Sequence, residues 1–141
     1  MSTRSVIAKE NRDGTFTGIY CHWDGYPNHN GNILVNHYAN EQTIDQLLKL
    51  GDLSKLGNEI GEKHPFENLD ETKYKNWCRA YGRDRGEKGT NATLYENIDD
   101  VFDVDRGQDY VYIWRRGNGI TGSWQCYEYN KNPVDLAEFK S

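Results

Sequence analysis

Ile19-Tyr20-Cys21-His22-Trp23-Asp24-Gly25-Tyr26-Pro27-Asn28-His29-Asn30-Gly31 reads as a strand that runs into a tight turn and then into a helix. Ile19, Cys21 and Trp23 alternate with Tyr20, His22 and Asp24, the period of two that sends successive side chains to opposite faces of a half-buried strand. Pro27 suits the first turn of a helix, where its missing N–H has no partner to lose. A plain connecting loop has no use for so many aromatic, imidazole and carboxylate groups. The stretch therefore marks a candidate site as well as a change of secondary structure.

Upstream, residues 5–9 and 15–23 form two alternating segments joined by Asn11-Arg12-Asp13-Gly14, and an Asp-Gly pair in that position predicts a β-hairpin. Downstream, Ile33, Leu34 and Tyr38 within 28–38 and Ile44, Leu47 and Leu48 within 41–50 recur at helical spacing. Gly51 suits the stop of the second helix, and 52–57 predicts a short helical turn capped by Asp52. Residues 58–76 show no dependable period beyond a short helix near 70–76, and 77–81 predicts a short strand. Three glycines and alternating charge make 82–89 a solvent-exposed loop. Residues 94–104 predict an acidic amphipathic helix, with Ile98, Val101 and Phe102 opposite Glu96, Asp99, Asp100, Asp103 and Asp105. Tyr110 to Trp114 and Ser123 to Tyr129, with Gly117-Asn118-Gly119 between them, predict a second hairpin, and 133–139 a terminal helix. The order predicts a single domain over 1–141 of the α+β class: an antiparallel sheet built from the N- and C-terminal hairpins, with helices packed on one face.

At 141 residues the chain is long enough to bury a sizeable core without a metal or disulfide staple. Its 17 Lys and Arg against 22 Asp and Glu give a net charge of −5, which argues against nucleic acid and anionic membrane as partners, since both attract cationic surface. No run approaches the roughly 18 apolar residues of a membrane span, and the expected location is cytoplasmic. Cys21, Cys78 and Cys126 are widely separated and read as reduced, buried thiols. No cofactor and no metal is implied. His29 and His37 are too far apart on one helix to share an ion, and the acidic row from Asp99 to Asp105 is what a solvated helix face produces.

Two features carry chemistry. The helix after Pro27 offers unpaired N–H groups to an anion beside Asp24, Gly25 and Tyr26. Arg83 and Arg85, in the glycine-rich loop, have the planar fork that binds phosphate or carboxylate in pairs of hydrogen bonds. Together His22, Trp23, Asp24, Tyr26, Arg83 and Arg85 would give a pocket with aromatic walls and cations, a nucleotide-like environment. The alternative is that Asp84 pairs locally with one of the arginines and the loop is merely soluble. His22 oriented by Asp24 also suits general acid–base work. Whether the chain is an enzyme stays open, with binding favoured over catalysis.

Ser2-Thr3-Arg4-Ser5, the block from Ile19 to Tyr26, Gly51-Asp52-Leu53-Ser54-Lys55-Leu56-Gly57 and Tyr81-Gly82-Arg83-Asp84-Arg85-Gly86-Glu87 resemble a family of small uncharacterised proteins encoded by bacteriophages and prophages. The likeness covers about the first ninety residues. Gly82 departs from it, since a histidine is expected before Arg-Asp-Arg-Gly-Glu. The resemblance implies an anti-defence role in the host bacterial cytoplasm: a homo-oligomer that sequesters a nucleotide-derived immune signal, such as a cyclic ADP-ribose or a cyclic dinucleotide. Its rivals are a phosphodiesterase using His22 and Asp24, and a protein–protein inhibitor presenting the acidic helix.

Overall fold

In the computed structural model, which describes residues 3–66, 71–103, 107–116 and 122–136, the first hairpin closes where the Asp-Gly pair predicts it. Gly14 takes φ +88°, a left-handed conformation that a side chain would resist. Ser5–Glu10 (β1) pairs antiparallel with Phe16–Cys21 (β2). A π-helical turn over Pro27–Gly31 leads into Asn32–His37 (α1) and then Glu41–Lys49 (α2). The Asn40 side chain caps α2 by accepting from the Thr43 N–H at 2.9 Å, and Gly51 ends it at φ +74°. Leu53–Lys55 (β3), Glu71–Tyr74 (α3), Arg79–Ala80 (β4), Tyr81–Arg85 (α4), Thr93–Tyr95 (β5) and Ile98–Phe102 (α5) follow, then Tyr110–Arg116 (β6), Gly122–Glu128 (β7) and Pro133–Val134 (β8).

The chain is α+β, but its sheet is mixed rather than purely antiparallel. The order is β4-β3-β2-β1-β6-β7-β8, with β5 against the opening residues of β2. β1 runs parallel to β6 from Ser5↔Tyr110 to Lys9↔Trp114, and β2 runs parallel to β3 at Cys21↔Leu53. Parallel neighbours need a crossover, and α1 with α2 supplies it between β2 and β3. The helical turn expected over 52–57 is therefore a strand: the His22 and Trp23 N–H groups donate to the Leu53 and Ser54 carbonyls at 3.0 and 3.1 Å.

Helices cover both faces, not one. Leu34, Tyr38, Ile44, Leu47 and Leu48 pack on Ile7, Ile19, Cys21, Tyr112 and Trp114. On the opposite face Val101 of α5 packs on Val6, Ala8, Phe16, Val111 and Ile113. Each fully buried Leu or Ile here contributes about 2 kcal/mol. At the far edge, Pro133 and Val134 pair with β7 where a helix is expected and 135–136 are not helical either; residues 137–139 of that expected helix lie outside the described residues, as do the Gly117-Asn118-Gly119 turn, Val104 and Asp105. Among the described residues no helix is long and apolar enough to cross a membrane.

The loop expected to be too polar to pack is in part interior. The Asp84 carboxylate is buried and accepts from the Ala80 N–H at 2.8 Å, the His64 N–H at 3.2 Å and Arg83 Nε at 2.9 Å. Arg83 in turn gives Nη1 to the Ile60 carbonyl and Nη2 to the Cys78 carbonyl, both at 2.8 Å. Charge enters the interior here because the carboxylate accepts four hydrogen bonds and the guanidinium donates four, to Asp84 and to two backbone carbonyls.

Two outcomes follow from this packing. Asp84→Ala should lose about 3 kcal/mol or more of unfolding free energy in urea, because it strands a largely buried guanidinium; a loss below about 1 kcal/mol would place the pair among inconsequential surface contacts. Burial pushes the Cys21 and Cys126 thiols up to about 12 and raises Cys78 as well. All three should resist alkylation at pH 8 in the folded protein and react on unfolding; rapid labelling of any of them in the native state would contradict the packing.

Candidate functional site

Beyond Cys21 the chain stays beside β3 for two residues before it turns. Tyr20 and His22, two apart and so on one face, meet through Tyr20 Oη and His22 Nδ1 at 2.8 Å. Burial, and secondarily the positive charge of Arg4, hold the His22 imidazole below its ordinary value, which favours the neutral ring. Trp23 stands edge-on to His22 with centroids 4.7 Å apart and is 41% exposed. Asp24 then adopts φ +58° and redirects the backbone. Gly25 locks the turn onto β1 and β6: its N–H donates to the Thr3 carbonyl at 2.8 Å and its carbonyl accepts from Tyr112 Oη at 2.6 Å. A Cβ there would stand 2.9 Å from both the Thr3 oxygen and the Ser5 Cβ, so only glycine fits.

The anion site expected after Pro27 is not built. The His29 and Asn30 N–H groups both donate to the Tyr26 carbonyl at 3.0 Å, and the segment is a five-residue π-helical turn rather than the start of a long helix. Tyr26 lies against His29, with centroids 6.1 Å apart. Among the described residues no contact joins Asp24 to the His22 imidazole, whose Nδ1 meets Tyr20 Oη instead.

The second block approaches through β4 and α4. Arg79 Nε donates to Ser54 Oγ at 3.2 Å, and the Ser54 carbonyl accepts from the Trp23 N–H, so β3 lies between the two blocks and touches both. The Arg79 guanidinium stands 5.2 Å from the Phe66 ring centre, and that of Arg85 stands 4.7 Å from Phe66 and 5.1 Å from Tyr81. Phe66 and Tyr81 are themselves 5.4 Å apart. Burial raises the Tyr81 phenol above its ordinary value. Arg85 reaches Glu87 at 2.6 Å, but both side chains are exposed, so the pair contributes little and a competing anion can displace it.

Of the residues singled out from sequence, His22, Trp23 and Arg85 come to this edge of the sheet. Arg83 does not, because its guanidinium is spent on Asp84, Ile60 and Cys78. Among the described residues no contact joins Asp24 or Tyr26 to the arginines. Ser54, Phe66, Arg79 and Tyr81 belong to the cluster and were missed. The signal for two of them is the alternation Cys78-Arg79-Ala80-Tyr81, whose buried members Cys78 and Ala80 leave Arg79 and Tyr81 facing the other way. Among the described residues, no group of three His, Cys, Asp or Glu side chains is arranged to hold a metal ion.

Compared with known proteins, the chain matches no family model, and no curated protein or solved structure is significantly similar to it.

The His22 environment sets a pH dependence. A histidine held below about 6.5 in the fold protonates first in the unfolded chain as pH falls, so stability drops through the window below that value and is flat in His22 above it. NMR titration should return a His22 pKa below about 6.5, and His22→Asn should be less sensitive than the parent between pH 7.5 and 5.5. A His22 pKa at or above the ordinary value would contradict the burial assigned to the ring.

Proposed function

We propose that this chain is a binding protein for a nucleotide-type anion, held rather than cleaved, at the edge where β4 and α4 meet the end of β2. The observation that carries the reading is the pair of guanidinium groups, Arg79 and Arg85, that share the Phe66 ring. Among the described residues, Arg79 has no hydrogen-bond partner for its terminal nitrogens, and Arg85 has only an exposed one. Two such forks suit a phosphate or pyrophosphate, and the exposed indole of Trp23 with the Phe66 and Tyr81 rings suits a base. Favouring binding over hydrolysis, among the described residues His22 has a phenol and no carboxylate as its partner, so none of them forms an oriented acid–base pair with it.

The resemblance to bacteriophage proteins supplies the setting for this reading. The ligand is then a nucleotide-derived immune signal of the cyclic ADP-ribose or cyclic dinucleotide kind, sequestered in the host bacterial cytoplasm by a homo-oligomer.

The test incubates the purified protein with cyclic ADP-ribose and with cyclic dinucleotides, removes free compound, denatures the protein by heat and analyses what is released. Intact ligand is expected, with retention reduced about tenfold or more in Arg79→Ala, which removes a charge-assisted contact. Cleaved product would establish the hydrolase instead, and no retention of any of these compounds would reject the reading.

A further inference from the structure

Ser54 sits in β3 between Leu53, which belongs to the core, and Lys55. Its side chain is buried, at 2% exposure. A hydroxyl out of water is costly unless it is bonded, and an alanine would fill the same place without that cost. What the hydroxyl meets is Arg79: Oγ accepts from Nε at 3.2 Å, across the pairing of β3 with β4. The carbonyl of the same residue accepts from the Trp23 N–H at 3.1 Å. Ser54 thus holds the guanidinium through its side chain and the end of β2 through its backbone.

A guanidinium can meet an oxyanion with either of two forks, Nε with Nη2 along its side or Nη1 with Nη2 at its end. With Nε committed to Ser54, Arg79 has only the end fork to give. The group is rigid and planar, and its carbon stands 5.2 Å from the Phe66 ring centre, so a bond at Nε and a ring against it restrict where that fork can aim. Arg85 differs. Its Nη2, the nitrogen common to both forks, is on the exposed Glu87 carboxylate at 2.6 Å, and its forks open only as Glu87 gives way. Arg79 is the preset contact and Arg85 the adjustable one.

We infer that Ser54 is a positioning residue for Arg79, holding its end fork ready for a phosphate group before that group arrives. The inference deepens the anion-binding reading and rests on it. An arginine already ordered in the free protein loses less rotamer freedom on capture, so the hydroxyl raises affinity through Arg79.

Pyrophosphate is the probe, titrated into ¹⁵N-labelled parent protein, Ser54→Ala, Arg79→Ala and the double variant, with the arginine side-chain resonances followed by NMR. Ser54→Ala keeps the carbonyl that holds Trp23 and should bind about fivefold more weakly than the parent, yet add no further loss to Arg79→Ala. In the free protein the Arg79 Nε–H should exchange with water faster in Ser54→Ala than in the parent. At saturation in the parent, the Arg79 Nη resonances should move while Nε stays near its free position. Unchanged affinity in Ser54→Ala, an equal loss from Ser54→Ala in the Arg79→Ala background, or an Nε–H exchange rate indifferent to Ser54 would overturn the inference and leave the anion site standing. No shift of any arginine resonance in the parent at millimolar pyrophosphate would instead reject the anion-binding reading, and this inference with it.

Discussion

The buried pairing of Asp84 with Arg83 is the constraint on which the half of this molecule that holds the candidate site rests. An ionised carboxylate taken out of water is costly unless it is both neutralised and hydrogen-bonded. Asp84 meets both conditions by gathering the N–H groups of His64 and Ala80 and the Arg83 guanidinium. Arg83 passes the constraint on to the carbonyls of Ile60 and Cys78. One ion pair thus ties together four backbone points in a segment whose helices and strands are too short to hold themselves. Buried hydroxyl and thiol groups reinforce it: Tyr38 Oη donates to the Gly57 carbonyl at 2.8 Å, and the Gly57 N–H donates to Cys78 Sγ at 3.3 Å.

What that staple delivers is a geometry. Held at Ala80, the chain can lie only as β4 beside β3, which sends Arg79 to Ser54 and leads α4 off at Tyr81. Arg85, at the far end of the same short helix, then returns over Tyr81 and Phe66. On the other side of β3, the Gly25 turn pins the end of β2 through Thr3 and Tyr112, and so holds His22 and Trp23 in place. Neither block has to move for their side chains to share an edge. Such prior ordering lowers the entropic cost of holding a ligand.

Local chemistry made much of this readable in advance, and nonlocal chemistry hid the rest. The first hairpin was legible because alternation and the Asp-Gly turn both act within a few residues, and α2 because Ile44, Leu47 and Leu48 repeat at helical spacing ahead of the Gly51 stop. β3 was not legible, because Leu53-Ser54-Lys55 is a strand only by virtue of its pairing with β2, some thirty residues away. The parallel register of β1 on β6 spans most of the chain and leaves no local mark. In the site, Arg-Asp-Arg presents two cations that look equivalent in sequence. Three dimensions separate them, turning Arg83 inward as a clamp and Arg85 outward over aromatic rings. That Asp84 would pair with a neighbouring arginine was legible, but its burial was hidden, since charge reads as solvated until its backbone partners are known.

Native-state hydrogen exchange at the Ala80 amide tests this account most directly, because that N–H donates to Asp84 Oδ2 at 2.8 Å and lies where β4 becomes α4. If the buried ion pair organises the segment, Ala80 should exchange as slowly as the central amides of the β1–β2 ladder, and lose that protection in Asp84→Ala while the ladder keeps its own. An Ala80 amide that exchanges in the parent protein at the rate of an open loop would contradict it.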